Sequence, residues 1–181
     1  MPHHHPLTIT GTTYDLAHLD PVAFSTPSAK LGRSINVWCW FTTHTYTEAA
    51  SAGYAGPFVM DEGKRQRVFC PTRYALSHHL PGVVRLLGNP DCYVLETASE
   101  RNWLHQVEIT ITPAQGQAIT YQMFFAVKRA TAGAGHDVEM VVESAYARDP
   151  QRIPKVKGRT KIAGLLTATV QRRRLHTQRQ N

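Results

Sequence analysis

From residue 92 onward apolar and polar side chains alternate along the chain, in the runs "CYVLE" (92–96), "NWLHQVEITIT" (102–112), "ITYQMFFAVKRA" (119–130) and "HDVEMVVESAY" (136–146). Val107, Ile109 and Ile111 fall on one side, with Glu108, Thr110 and Thr112 opposite. A period of two is the signature of a half-buried strand, because successive side chains leave the backbone on opposite faces. Short connections carrying glycine, Gln115-Gly116-Gln117 and Ala132-Gly133-Ala134-Gly135, join the later runs. They predict an antiparallel meander of about four strands. Its covered face should hold Val107, Ile109, Ile111, Tyr121, Met123, Phe125, Val138, Met140 and Val142.

Upstream the period changes. "INVWCWFT" (35–42) reads as a strand with Ile35, Val37, Cys39 and Phe41 on one face and Trp38 and Trp40 on the other. Two apolar faces argue for a central position. "KRQRVFC" (64–70) reads as extended. "PTRYALSHHLPGVVRLLGNP" (71–90) reads as a helix that starts at Pro71 with Thr72 as its cap, is kinked or split at Pro81 and stops at Gly88-Asn89-Pro90. Leu80, Val83, Val84 and Leu87 would face inward. "TKIAGLLTATVQRRRL" (160–175) suits a closing helix through Ile162, Leu165, Leu166 and Val170, although Thr167 and Thr169 suit a strand better. Residues 1–34 are rich in Pro, Thr and Ser, with "PLTIT" as a short edge strand and "YDLAHLDP" as a helical turn. The histidines at 3–5, between Pro2 and Pro6, read as a disordered end without a metal role.

The expected organisation is an N-terminal extension (1–34), a single α+β domain (35–170) and a basic tail (171–181). In that domain an N-terminal strand and helix layer packs on an antiparallel sheet of about four strands.

Composition narrows the class. A chain of 181 residues, 42% hydrophobic and 18% charged, is long enough for one core and too apolar for disorder. Twenty Lys+Arg against 13 Asp+Glu give a net charge of +7. That surplus favours an acidic partner, nucleic acid before membrane. Much of it lies beyond residue 154, so the stretch from Lys155 to Arg179 should add affinity for RNA without specificity, and truncation before Gln171 should flatten its salt dependence. Cys39, Cys70 and Cys92 make an odd count with no CxxC pair, so neither a zinc ribbon nor a disulfide framework is suggested, and a reducing cytoplasm suits them best. No apolar run approaches the roughly 20 residues of a membrane span, and no leader is evident, so a cytoplasmic protein without a membrane partner is expected. GxGxxG, P-loop, HExxH and GxSxG motifs are missing, and the adjacent His78 and His79 diverge on a helix. No cofactor or metal is expected.

The stretch "HDVEMVVESAYARDP" (136–150) is unusual in placing Glu143, Ser144, Tyr146 and Arg148 at a strand end where a plain turn is usual. Cleaving RNA without a metal needs a base for the 2′-hydroxyl, an acid for the leaving 5′-oxygen and cations on the phosphorane. His44 in "TTHTYTEAA" is the best proton shuttle by residue type, since imidazole titrates near neutrality. Its bland reading is a turn histidine bonded to Thr43 or Thr47. Arg73, at the start of the predicted helix, could dock phosphate; Tyr74 beside it reads as core. Ser144 is a phosphate donor or a strand-end cap, and Tyr146 a stacking platform, an acid or a buried aromatic. Glu143 could act as a base if buried near Arg148. Lys128 and Arg129 offer cations, but a regular meander puts them at the opposite end of the hairpin from Tyr146.

A helical layer preceding a four-stranded antiparallel sheet, with "YQMFFAVKRA" leading to "VEMVVESAYARD", resembles the barnase, EndoU, colicin-tRNase and RelE (BECR-fold) ribonuclease superfamily and its phage- and plasmid-borne, toxin-like members. The resemblance implies a metal-independent endoribonuclease acting through the substrate's own 2′-hydroxyl, with RNA as substrate and an antitoxin or immunity protein as partner. On that view His44, Ser144 and Tyr146 are catalytic, and Arg73, Lys128 and Arg148 bind substrate. The alternative is a non-catalytic regulator that uses the same basic surface to bind nucleic acid or a host protein. Convergence of His44, Arg73, Ser144 and Tyr146 on one site is what separates the two.

Overall fold

The computed structural model describes residues 3–98, 103–112, 117–149 and 155–173. In chain order the strands begin with β1 (Leu7–Ile9), β2 (Thr12–Tyr14), β3 (Val22–Ser28), β4 (Arg33–Phe41), β5 (Thr47–Ala49), β6 (Val59–Met60) and β7 (Gln66–Phe69). Two short helices follow, α1 (Pro71–Ser77) and α2 (Leu80–Leu86). Then come β8 (Tyr93–Ala98), β9 (Trp103–Ile111), β10 (Ile119–Arg129), β11 (Val138–Ala147), β12 (Lys155–Lys161) and α3 (Ile162–Val170).

The expected α+β arrangement, a helical layer on a sheet of about four strands, is not the fold. The protein is mostly β, built on a seven-stranded mixed sheet in the order β12-β8-β9-β10-β11-β4-β3, with a three-stranded sheet β5-β7-β6 and the hairpin β1-β2 beside it. The predicted meander is its centre: β8 to β11 pair antiparallel in succession. The sheet is widened by two long-range pairings, β4 with β11 and β12 with β8, and by the local hairpin of β3 and β4. β4 lies parallel to β11, Val37 opposite Val138 and Phe41 opposite Val142, and β3 runs antiparallel to β4 on the outer edge. Residues 22–28, within the expected N-terminal extension, are thus a strand of the main sheet. Part of the expected cationic stretch is likewise a strand. In β12, Lys155, Lys157, Arg159 and Lys161 are exposed while Val156, Gly158 and Thr160 turn inward, a charged pattern that guards a sheet edge against foreign strands. Lys161 pairs with Asp91 at 2.6 Å, and the Arg159 guanidinium lies 5.0 Å from the Tyr93 ring. Residues 174–181 of the tail lie outside the described residues.

The covered face agrees with the alternation. Val107, Ile111, Tyr121, Met123, Phe125, Val138, Met140 and Val142 are all buried, and Ile109 packs against them. Ile35, Val37, Cys39 and Phe41 continue that face into β4, and α2 and α3 cover it with Leu80, Val83, Val84, Leu165 and Leu166. Truncating any of the large side chains here would cost about 2–5 kcal/mol. β4 is internal as expected, but its second face is not covered throughout: Trp38 is 41% exposed. The helix over 71–90 is split two residues before Pro81, because Pro removes a ladder donor and is tolerated only in a first turn. Thr72 does not cap α1. Cys70 occupies the N-cap position without a side-chain bond, and Pro71, which has no N–H to satisfy, takes the first helical position. The N-terminal histidines are not a disordered end either. His4 is buried with Nε2 2.9 Å from the Phe41 carbonyl oxygen, and the His3 backbone N–H donates to Asp20.

α1 is fixed to the short 3₁₀ turn Ala17–Leu19 through histidines. The His18 ring stacks on His78 at 3.7 Å, and its Nε2 lies 2.7 Å from Ser77 Oγ. Ser77 Oγ also reaches the Tyr74 carbonyl, at 2.7 Å. Burial, and then repulsion from His78, lower the His18 pKa from 6.5 to about 4. The unfolded chain therefore binds this proton more readily than the folded one. The stabilisation is intact above pH 6.5 and is lost as pH falls from there through about 4. Urea unfolding at a series of pH values should show that decline, and His18→Gln should flatten it.

Candidate functional site

The site is built outward from "FTTHTYT". At the end of β4 the chain turns through the 3₁₀ turn Thr43–Thr45, and hydroxyls hold it at every step. Thr42 Oγ1 accepts from the His44 N–H, Thr45 Oγ1 donates to the Thr42 carbonyl at 2.8 Å, and Thr47 Oγ1 donates to the Thr43 carbonyl at 2.7 Å. Glu62 accepts from both the Thr43 N–H at 2.7 Å and its hydroxyl at 3.0 Å. Threonine-rich sequence thus becomes a rigid mount for His44, since short side chains that bond nearby backbone favour turns over regular structure.

The hairpin of β6 and β7 brings a carboxylate to this mount. Asp61 Oδ1 accepts from the N–H groups of Gly63 and Arg65, closing the turn, while Oδ2 accepts from Arg65 Nε at 2.8 Å and from His44 Nε2 at 2.9 Å. The Asp61 side chain has no exposed surface, and that of His44 is 23% exposed. Burial pushes the Asp61 carboxyl up, but the bonds from His44 and Arg65 outweigh it and hold the group well below the usual carboxylate range. An anion fixed at Nε2 selects the tautomer with hydrogen on that nitrogen and leaves Nδ1 as the acceptor, the orienting role a carboxylate plays behind a catalytic histidine. Nδ1 makes no hydrogen bond among the described residues.

The odd strand end that carries Glu143 is a β-bulge. Phe124 is opposite Ser144 and Phe125 opposite Val142, so Glu143 has no partner in β10. The extra residue inverts the alternation: Val138, Met140 and Val142 face the core before it and Ala145 after it, which sends Ser144 and Tyr146 to the other face. The freed Glu143 carbonyl accepts from Thr42 Oγ1 at 2.8 Å, tying the bulge to the His44 turn. The Glu143 side chain is half-buried and makes no hydrogen bond or ion pair among the described residues. Burial raises its pKa; the nearby Glu62 adds to the rise, and His44 and Arg65 oppose it. Near the oriented imidazole there is thus a carboxyl that burial makes easier to protonate than usual.

Arginines surround the pair. Arg73 Nη1 donates to the His44 and Thr47 carbonyls at 3.1 and 2.8 Å, and its guanidinium lies 5.2 Å from the centre of the Tyr146 ring, which stacks on Phe124. Arg67 bonds Thr47, and burial followed by repulsion from Arg73 lowers its proton affinity, as expected where cations are crowded. Arg65 is the accessible member, its side chain 68% exposed.

Of the residues expected from sequence, Arg73 touches both the His44 turn and the Tyr146 ring, and Ser144 lies next to the bulge, opposite Phe124. Arg73 clamps the histidine mount and so is less free to dock phosphate than its place in the sequence suggested. Arg148 is exposed just past β11, its N–H bonded to the Thr120 carbonyl. Lys128 is not at the site: it pairs with Glu139 at 2.8 Å, six residues along β10 from Gln122, the partner of Tyr146. Sequence reasoning missed Asp61, Glu62 and Arg65. The signal was "DEGKR", an Asp-x-Gly turn that sets two carboxylates beside two cations.

A model of the YjaZ family matches residues 6–170, the full span of both the main sheet and this site. The chain belongs to the YjaZ family. That description names no reaction, substrate or partner. No curated protein and no solved structure matches the chain. Among the described residues of this family member, no helix is long and apolar enough to cross a membrane.

Proposed function

We propose that the protein is an endoribonuclease whose acid–base apparatus is made of side chains alone. The observation that carries this reading is His44, held at Nε2 by the buried Asp61 carboxylate, beside Glu143, whose carboxyl is kept protonated more readily than usual by burial. His44 Nδ1 takes the proton of a ribose 2′-hydroxyl, and the 2′-oxygen attacks the adjacent phosphorus. The bond from phosphorus to the 5′-oxygen breaks, and Glu143 protonates that leaving oxygen. A 2′,3′-cyclic phosphate and a 5′-hydroxyl result. His44 and Glu143 then exchange protons through water to reset the site. Arg65 meets the charge that develops on the phosphorane, and the Tyr146 ring offers a stacking surface for a neighbouring base.

The test is to incubate purified protein with total and transfer RNA, with and without EDTA. Cleavage is expected in both, because each proton-transfer role has a side chain assigned to it. Failure of well-folded protein to cut any RNA, with RNA binding retained, would leave the same basic surface as that of a nucleic-acid-binding regulator. An antitoxin or immunity protein that covers His44 and Arg65 is the partner this reading implies.

A further inference from the structure

At the opposite end of the β4–β11 pair from His44 lies a second basic site. A cavity of about 680 Å³ opens between the start of β4, the β10–β11 connection and the end of α3, with Arg33, Arg129, His136, Asp137 and Arg172 in its lining. The only carboxylate among the lining residues is already spent. Asp137 receives both Arg33 guanidinium nitrogens at 2.9 and 2.7 Å and the Asn36 N–H at 2.9 Å. Arg129 and Arg172 are exposed and have no ion-pair partner among the described residues. Two guanidiniums at one cavity mouth, neither ion-paired among the described residues, suit a doubly charged anion, because their forked donors match phosphate oxygens.

The connection itself is shaped for close approach. In "TAGAGH" (131–136), Gly133 and Gly135 take left-handed conformations with φ of 85° and 76°, and nothing lies within 4 Å of where a Cβ would stand on either. Backbone is thereby laid open to the cavity, as in loops that let a phosphate meet the main chain. His136 adds a ring nitrogen, Nε2, that is buried and has no hydrogen-bond partner. The Glu139 carboxylate lies 4.0 Å from it.

A second cavity of about 470 Å³ adjoins the first, sharing Asn36, Ala134, Gly135 and His136, and it adds Trp38. Trp38 is the exposed aromatic of β4, its ring stacked on His136. A flat aromatic surface next to an anion site is the combination that recognises a nucleotide, the base stacking on the ring and the phosphate meeting the arginines.

We infer that this double cavity binds a nucleoside monophosphate unit, its phosphate on Arg129 and Arg172 and its base on Trp38. The unit is either a free nucleotide or one residue of an RNA strand. The site stands apart from the His44 centre by about five residues of strand, roughly 15–20 Å, and does not depend on the ribonuclease reading.

The test is calorimetric titration of the whole protein with adenosine 5′-monophosphate, adenosine, inorganic phosphate and a single-stranded decaribonucleotide, using His44→Ala protein to prevent turnover. Adenosine monophosphate should bind more tightly than either of its halves. Arg129→Gln and Arg172→Gln, both on exposed side chains, should each weaken it by about tenfold or more, and Trp38→Ala should weaken the nucleotide while leaving phosphate unchanged. Near-ultraviolet circular dichroism should confirm that each variant is folded. A decamer that binds more tightly than the monophosphate and loses affinity in the same variants identifies an RNA strand as the source; the reverse order identifies a free nucleotide. No saturable binding of either ligand, or equal binding in the Arg129→Gln/Arg172→Gln double variant, would overturn the inference.

Discussion

His44→Ala should lower RNA cleavage by a factor on the order of a hundred to ten thousand while leaving the protein folded, since removing a proton-transfer group costs about that much. The melting temperature should fall modestly, because the buried Asp61 carboxylate loses one of its bonds. The side chain is partly exposed and contributes one ring contact, to Asp61, whereas the turn that bears it is held by Thr42, Thr43, Thr45, Thr47, Glu62 and Arg73 through bonds that do not involve the imidazole. Loss of activity with retained structure is therefore the expected pairing. Asp61→Asn provides the complementary control, because an amide can present its donor to Nε2 and select the wrong tautomer. Its activity should fall nearly as far as that of His44→Ala, and the double variant should be no worse than the worse single one, as for residues that act as a unit. Full activity in His44→Ala, measured by gel-resolved cleavage rates, would remove the histidine from the mechanism.

Glu143→Gln should lower cleavage on a similar scale and should also change the shape of the pH profile. A general acid works only while protonated, so the wild-type rate should fall as pH rises through the Glu143 pKa, and burial moves that limb upward from the ordinary carboxylate range. Glutamine cannot titrate, so the limb should vanish in the variant. Stability provides a second readout with the opposite sign. A group whose folded pKa is raised contributes stability below its unfolded pKa, and that contribution is lost as pH rises through the folded value. Near neutrality wild type thus holds a half-buried charge at a cost, and Glu143→Gln should be as stable or slightly more so. A merely structural Glu143 would give reduced stability with activity unchanged.

The contrast between what the chain displays and what it conceals follows from the range of each interaction. Period-two alternation is local, so the strands 93–98 to 138–147 and their covered face are legible, and the proline at 81 announces its break. The parallel neighbour β4 joins the sheet through a pairing with β11 about a hundred residues away, for which no residue type is a marker, and it brings its hairpin partner β3 to the edge; with β12 added beside β8, seven strands form where alternation predicts about four. The site divides in the same way. His44 and the "ESAY" strand end stand out by residue chemistry. The bulge that aims Glu143, Ser144 and Tyr146 is a register event visible only in pairing, and Asp61 reaches His44 through a hairpin whose strand β6 is two residues long. Lys128 drew notice by its charge alone, and Glu139 opposite neutralises it.

The central claim, an acid–base pair acting on the substrate's own 2′-hydroxyl, is tested most directly by mapping product termini on an RNA oligonucleotide and on the same oligonucleotide with a single 2′-deoxy residue at the cleavage position. Cyclic 2′,3′-phosphate and 5′-hydroxyl ends, with cutting at that position abolished by the deoxy substitution, are predicted. Products with 5′-phosphate ends, or undiminished cutting at the deoxy position, would contradict it.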